Sequence, residues 1–271
     1  MAIVTLLTDF GEADAYVGQM KGAILSVSPS ATLVDLAHAI TPQDVRAGAF
    51  LLWTAVAAFP PGSIHVAVVD PGVGSARRAI AAQSARGDRL VGPDNGLLVP
   101  ALERLGGAIA VVELSNSQFW RPRVSKTFHG RDLFGPVAGH LDRGVELQAL
   151  GEPVPELERP FSIPVPQAAG EALHGAVIHV DRFGTLITNL PGERLGADFV
   201  LVLNGRRILG HREAQYESVR EGSLVGLVGS SGLVEIAVRN GSAAAILGLG
   251  VGAAVAAEPV ERPGLARRLS H

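Results

Sequence analysis

The sequence predicts an α/β fold in two parts: a mostly parallel, Rossmann-like sheet with helices over residues 1–150, and a small β-barrel or sandwich over residues 171–260. Three observations predict it. In the first part short β-branched runs alternate with longer amphipathic stretches, the pattern of a sheet with helical crossovers. Between Gly151 and Gly170 the prolines Pro153, Pro155, Pro160, Pro164 and Pro166 crowd a short span, which reads as a linker over residues 151–170. Beyond it the periodicity changes to short strands separated by turn residues. A length of 271 residues suits one large or two medium domains, and 47% apolar against 18% charged residues supplies a buried core.

Taken in order, the expected strands of the first part are Ile3 to Leu7, Leu33 to Leu36, Ile64 to Val69, Ala79 to Ala82 and Ile109 to Glu113. Ala15 to Ser26 and Pro42 to Ala58 carry apolar residues at helical spacing, the second opened by Thr41 as N-cap with Pro42 at the first helical position. Gly130 to Leu141 completes this half as a third helix. In the second part the strands are Gly175 to Val180, Thr185 to Asn189, Phe199 to Leu203, Arg206 to Leu209, Leu224 to Val228 and Leu233 to Val238. Asn204-Gly205 joins two of them as a tight hairpin. The Arg-rich tail from Pro259 to His271 is expected to fray.

Composition excludes several function classes. A net charge of −3, with 23 basic and 26 acidic residues mixed along the chain and no polybasic block, gives no footprint for nucleic acid. The absence of cysteine removes disulfides, thiolate catalysis and thiolate metal sites. None of the eight histidines forms H-E-x-x-H or another metal pair at i, i+4, so no metal is expected. The opening MAIVTLLTDF lacks a basic n-region and reads as a first strand. The longest apolar stretch, Ala243 to Ala257, falls short of the roughly 18 residues of a membrane span. A soluble, cytoplasmic protein is the expectation, with no membrane partner.

In an open parallel sheet ligands sit outside the carboxyl ends of the strands, so polar residues directly after a strand are the first candidates. Asp9 in Thr8-Asp9-Phe10-Gly11, Asp14 just beyond it, and Asp70 in Asp70-Pro71-Gly72-Val73-Gly74 occupy such places. A carboxylate there can accept two hydrogen bonds from a ribose diol, or it can simply hold a turn or cap a helix. The glycine-rich turn after Asp70 matches neither phosphate-loop pattern, and Arg77 and Arg78 beyond it either face the same site or solvate an edge strand. His129 in Thr127-Phe128-His129-Gly130-Arg131-Asp132 precedes a helix, where it can hold a water or donate to a ligand, or serve in capping and packing. In the second part Asp181-Arg182-Phe183-Gly184-Thr185 and Ser230-Ser231-Gly232-Leu233-Val234-Glu235 interrupt the strands. Either is a hairpin turn by default, but an aromatic beside carboxylate and hydroxyl groups suits a nucleoside.

Six ordered motifs resemble one family across nearly the whole chain. They are Thr8-Asp9-Phe10-Gly11, Thr41-Pro42-Gln43-Asp44-Val45, Val69-Asp70-Pro71-Gly72-Val73-Gly74, Gly92-Pro93-Asp94-Asn95-Gly96, Phe128-His129-Gly130-Arg131-Asp132 and Asp181-Arg182-Phe183-Gly184. The family is that of the adenosine-forming S-adenosyl-L-methionine hydrolases, relatives of fluorinase and chlorinase. The resemblance implies an N-terminal α/β domain, a C-terminal β-barrel, no cofactor beyond the small-molecule substrate, and a homotrimer with ligand at subunit interfaces. It also implies that Asp70, Arg77 and His129 form the family's catalytic triad and that Asp14, with Asp9 close by, takes the ribose. Asp181, Ser230 (or Ser231 in its place) and Glu235 resemble the family's contacts to the methionine amine and carboxylate. The family usually has Asn after Phe-Gly in the second domain, and this chain has Thr185, which alters the contact to adenine. The rival readings are a halogenase, whose relatives lack the triad, and a nucleoside or S-adenosylmethionine binder without turnover.

Overall fold

The computed structural model describes residues 2–260, so the tail expected to fray lies, from residue 261 on, outside the described residues. The chain divides into two compact units, Met1–Ser162 and Ile163–His271. In the first, β1 (Ile3–Thr8), α1 (Tyr16–Val27), β2 (Thr32–Ala37), α2 (Val45–Val56), β3 (Ile64–Val68), β4 (Ala79–Ser84), β5 (Arg89–Pro93), α3 (Val99–Arg104), β6 (Ala108–Glu113) and α4 (Gly135–Asp142) follow one another. The sheet runs in the order β2-β1-β3-β5-β4-β6. β1, β2, β3 and β5 are parallel, and β4 runs antiparallel to both its neighbours.

Side-chain alternation along the strands sorts two cores onto the two faces of this sheet. Val4, Leu6, Val66 and Val68 meet Met20 and Ile24 of α1 and Val137 and Leu141 of α4 on one face. Leu7, Ala67 and Ile80 meet Leu52 and Val56 of α2 and Ala101 and Leu102 of α3 on the other. With helices on both faces, β3 is buried throughout, and its near-continuous apolar run Ile64–Val68 follows from that burial.

Three local readings are corrected. The helix expected from Pro42 begins at Val45, and its cap is Asp44, whose carboxylate accepts from the Ala47 N–H at 2.9 Å, not Thr41. Gln43 at φ +68° is left-handed, so no helix can run through it. β5, too short and glycine-broken to show a period, was not among the expected strands. The helix expected over Gly130 to Leu141 opens as a π-helical turn, Gly130–Phe134, before α4.

The second unit contains β7 (Gln167–Ala169), β8 (Ala172–Val180), β9 (Leu186–Pro191), β10 (Asp198–Leu203), β11 (Arg206–His211), β12 (Leu224–Val228), β13 (Leu233–Val238), α5 (Ala243–Leu247) and β14 (Ala254–Pro259). Among the described residues the strand order is β14-β10-β11-β12-β13-β9-β8-β7, and β14 also pairs with β8, which closes a barrel and leaves β7 outside it. Closure removes the free edges that a sandwich would keep. The hairpin at Asn204-Gly205 joins β10 to β11, with both residues at positive φ. The apolar stretch from Ala243 resolves into α5 and β14, and no helix among the described residues is long and apolar enough to cross a membrane.

Candidate active site

In the first unit, Asp70 follows β3 and Arg77 lies on the turn that leads into β4. Arg77 Nε lies 3.0 Å from both Asp70 carboxylate oxygens, and Nη2 donates to Oδ2 at 2.5 Å. The same Nη2 lies 2.7 Å from His129 Nδ1. The Asp70 and Arg77 side chains are 5% and 11% exposed, so the pair is sheltered but not sealed. Gly74 makes this possible: it sits at φ +76°, and a Cβ there would lie 2.2 Å from the Lys126 carbonyl oxygen. That close approach presses the Asp70 loop onto the loop that carries His129.

A guanidinium only donates, so His129 Nδ1 accepts, and the neutral ring carries its proton on Nε2. Burial first, then the charge of Arg77, pushes the His129 pKa below the ordinary histidine value, with Asp70 and Asp132 opposing. Arg77 and His129 are thus both donors. Donors gathered at one place suit an oxygen that gains negative charge. Asp70 anchors Arg77 through both carboxylate oxygens and keeps free lone pairs for a proton.

The loop after β1 carries the other first-unit candidates. Asp9 accepts from the backbone N–H of Gln43 at 2.8 Å, and the left-handed Gln43 is what aims that N–H. Asp14 is exposed on the turn before α1. Phe10, Tyr16 and Phe128 form an edge-to-face trio with centroids 5.3–6.2 Å apart, which ties the aspartate loop to the residue before His129. Asp132 braces the same segment: Arg131 holds its two oxygens at 2.6 and 2.8 Å, and the Ser125 N–H donates to it at 2.9 Å. Arg78 takes no part in this cluster. It pairs with Asp94 at 2.6 Å, and Asn95 donates to the Val69 carbonyl at 2.9 Å, so the Gly92–Gly96 motif holds the end of β3 in place.

In the second unit, Asp181 Oδ1 accepts from the backbone N–H groups of Phe183 and Thr185 at 2.9 and 2.8 Å. The resulting turn presents Phe183 at 78% exposure, while Thr185 is buried. Glu235 on β13 receives the Tyr216 hydroxyl at 3.3 Å. Burial first, and the Asp181 charge against it, push the Glu235 pKa up, while Tyr216 hydrogen bonding opposes. Burial likewise pushes Tyr216 up to about 12. Gly229 leaves room for this carboxylate, since a Cβ there would lie 1.7 Å from Glu235 Oε1. Ser230 is exposed on the turn between β12 and β13, and Ser231 Oγ faces the Leu233 N–H at 3.4 Å inside that turn.

Sequence reasoning missed Gln43, Tyr16 and Tyr216. One signal was available: the chain has only two tyrosines, and both stand beside candidate residues.

Comparison with known proteins identifies the family of the chain. A family model described as the SAM hydroxide adenosyltransferase N-terminal domain matches residues 4–151, and the C-terminal domain model matches residues 175–256. A protein of Salinispora tropica named (R)-S-adenosyl-L-methionine hydrolase is 41% identical over 248 residues, covering 91% of this chain and 94% of the relative. A fluorinase of an Actinoplanes species is 30% identical over 214 residues, covering 69% and 71%. The crystal structure of an uncharacterized conserved protein from Thermotoga maritima superposes with a TM-score of 0.89 at 31% identity, covering 94% of this chain and all of that one.

Proposed function

The chain belongs to the SAM hydroxide adenosyltransferase family, and from that premise we propose that it hydrolyses S-adenosyl-L-methionine to adenosine and L-methionine. The observation that carries the reading is the contact of Arg77 with both Asp70 and His129 in a chain 41% identical, over 91% of its length, to a protein named for this reaction. A water oxygen attacks the ribose C5′ in line with the sulfonium. The new O–C5′ bond forms as C5′–S breaks, the electron pair goes to sulfur, and methionine leaves as a neutral thioether. The sulfonium is already activated, so neither an acid nor a cofactor is called for. Water is the weak partner, and it must be positioned and relieved of a proton. Arg77 and His129 Nε2–H stabilise the oxygen as it takes on hydroxide character, and the proton leaves by Asp70 or solvent.

Asp9 and Asp14 hold the ribose, Phe183 covers the base beside Thr185, and Asp181, Glu235 and the Ser230–Ser231 turn take the methionine amine and carboxylate. The raised Glu235 pKa suits a carboxylate waiting for a cation. The exposed Phe183 suits an aromatic that meets ligand at a subunit boundary, and a homotrimer with sites at its interfaces belongs to this proposal. A cytoplasmic enzyme meets S-adenosylmethionine where it is made.

The test is incubation of the purified protein with each sulfonium epimer of S-adenosylmethionine, with and without chloride or fluoride, followed by chromatography. Adenosine and methionine in equal amounts, lost in Asp70→Ala, support hydrolysis, with preference expected for the (R) epimer named for the relatives. Halogenated adenosine would make it a halogenase instead, and unchanged substrate would make it a binder.

A further inference from the structure

Behind the aspartate loop lies a line of side chains to which the reaction assigns no part. Lys21 of α1 donates to Asp35 Oδ2 on β2 at 2.5 Å. Asp35 Oδ1 lies 3.0 Å from His38 Nε2, an electrostatic contact rather than a well-aligned hydrogen bond. His38 Nδ1 lies 2.9 Å from the Thr8 hydroxyl, and Thr8 Oγ1 faces the Phe10 N–H at 3.2 Å. The His38 carbonyl accepts from the Gly11 N–H at 2.8 Å. His38 is 5% exposed and Thr8 wholly buried, so water does not compete for these contacts.

The order of donors follows from the ends of the line. In the neutral ring a carboxylate beside Nε2 places the proton there, which leaves Nδ1 as acceptor and makes the Thr8 hydroxyl its donor. The Thr8 oxygen lone pairs then point at the Phe10 N–H. His38 thus holds the loop at both Phe10 and Gly11, on either side of the Phe10 ring that packs on Phe128, the residue before His129. From this geometry we infer that His38 is a positioning residue for the reaction. Oriented by Asp35, it sets the Thr8–Gly11 loop so that Asp9 faces the ribose. The inference rests on the proposed hydrolase reading for its substrate, while its mechanics concern only the binding of the nucleoside.

The experiment uses the full chain and two readouts, adenosine affinity by calorimetry and steady-state hydrolysis of S-adenosylmethionine. Thr8→Val keeps the shape and removes the hydroxyl, His38→Ala removes the ring, and Thr8→Ser restores a hydroxyl. Asp35→Asn, at an exposed position, weakens the orienting charge without disturbing the core. Thr8→Val and His38→Ala are expected to weaken adenosine binding and raise KM by about tenfold or more, with a smaller change in kcat, while melting as folded proteins. Thr8→Ser should return KM to near the starting value, and Asp35→Asn should raise it by a few fold. Adenosine affinity within about twofold of the parent in both Thr8→Val and His38→Ala would overturn the inference, as would a loss of kcat with KM unchanged. If the parent protein binds adenosine but turns nothing over, the hydrolase reading fails while the affinity series still decides the role of His38.

Discussion

The two ends of the first sheet carry the same three residue types in opposite circumstances. Outside the carboxyl end of β3, Asp70, Arg77 and His129 touch in sequence, with the arginine in the middle and the histidine at the rim. Near the amino end of the same strand, Asp88 is held by Arg86 at 2.7 and 3.0 Å, and His65 sits 3.7 Å from Asp88 with its Nδ1 on the Thr5 hydroxyl at 2.8 Å. His65 and Asp88 are both wholly buried. An aspartate, an arginine and a histidine in one place are therefore not a site in themselves. Access of the histidine to solvent, and an arginine placed to connect the other two, separate the cluster proposed for chemistry from the one that holds strands together.

The strongest way to break this contrast is to make the same change at both ends. Asp70→Asn should lower kcat on S-adenosylmethionine by about 10²–10³, because Arg77 loses its charged anchor beside the attacking water, and should cost less stability than Asp88→Asn, because His129, unlike His65, keeps contact with solvent. Asp88→Asn should do the reverse. It strands Arg86 and His65, and it is expected to cost about 2 kcal/mol of stability, below the value for a fully buried pair because Arg86 keeps a quarter of its side chain in water. Paired kinetics and denaturant unfolding on the two variants read the difference, and equal effects on both quantities would end the distinction.

The two histidines sharpen it through pH. Burial pushes His65 down to about 4, against an ordinary value of 6.5. Between those values the unfolded chain binds a proton that the folded chain refuses. The contribution of His65 is complete above pH 6.5 and is lost as pH falls toward 4, by about 3 kcal/mol at most. Unfolding free energy followed over that window should fall more steeply in the parent than in His65→Gln. His129 is also shifted down, by burial and by Arg77, but its proton reports on activity. Protonation at Nδ1 would eject the Arg77 contact, so the acid limb of kcat/KM should lie below pH 6.5. A limb at or above that value would mean that another group governs it.

How much of this was legible in the sequence follows from the reach of each contact. The Asp70 and His129 loops stood out because short motifs mark them, and the hairpin at Asn204-Gly205 because its positive φ values demand those residues. Helix α2 was legible as a helix but not in its start, because Thr41-Pro42 imitates a cap and the left-handed Gln43 depends on Asp9, 34 positions away. The contacts of His38 to Thr8 and of His65 to Thr5 join residues 30 and 60 positions apart, and a lone buried histidine has no local pattern. The pairing of Tyr216 with Glu235 was hidden for the same reason.

The last test carries the contrast into the second unit, where access again separates neighbours of similar composition. Within one turn Thr185 is buried and Phe183 is 78% exposed, although an isolated phenylalanine gains nothing by facing water. If exposure marks a ligand contact here, Phe183→Ala removes an aromatic that only a ligand or a neighbouring subunit covers. Stability of the folded chain should then change by less than about 0.5 kcal/mol, as for a surface position. Adenosine affinity should fall by about fivefold, the size of one aromatic stacking contact, with kcat little altered. A drop in melting temperature with unchanged affinity would place Phe183 among the structural residues, and exposure would then no longer separate site from scaffold in the barrel.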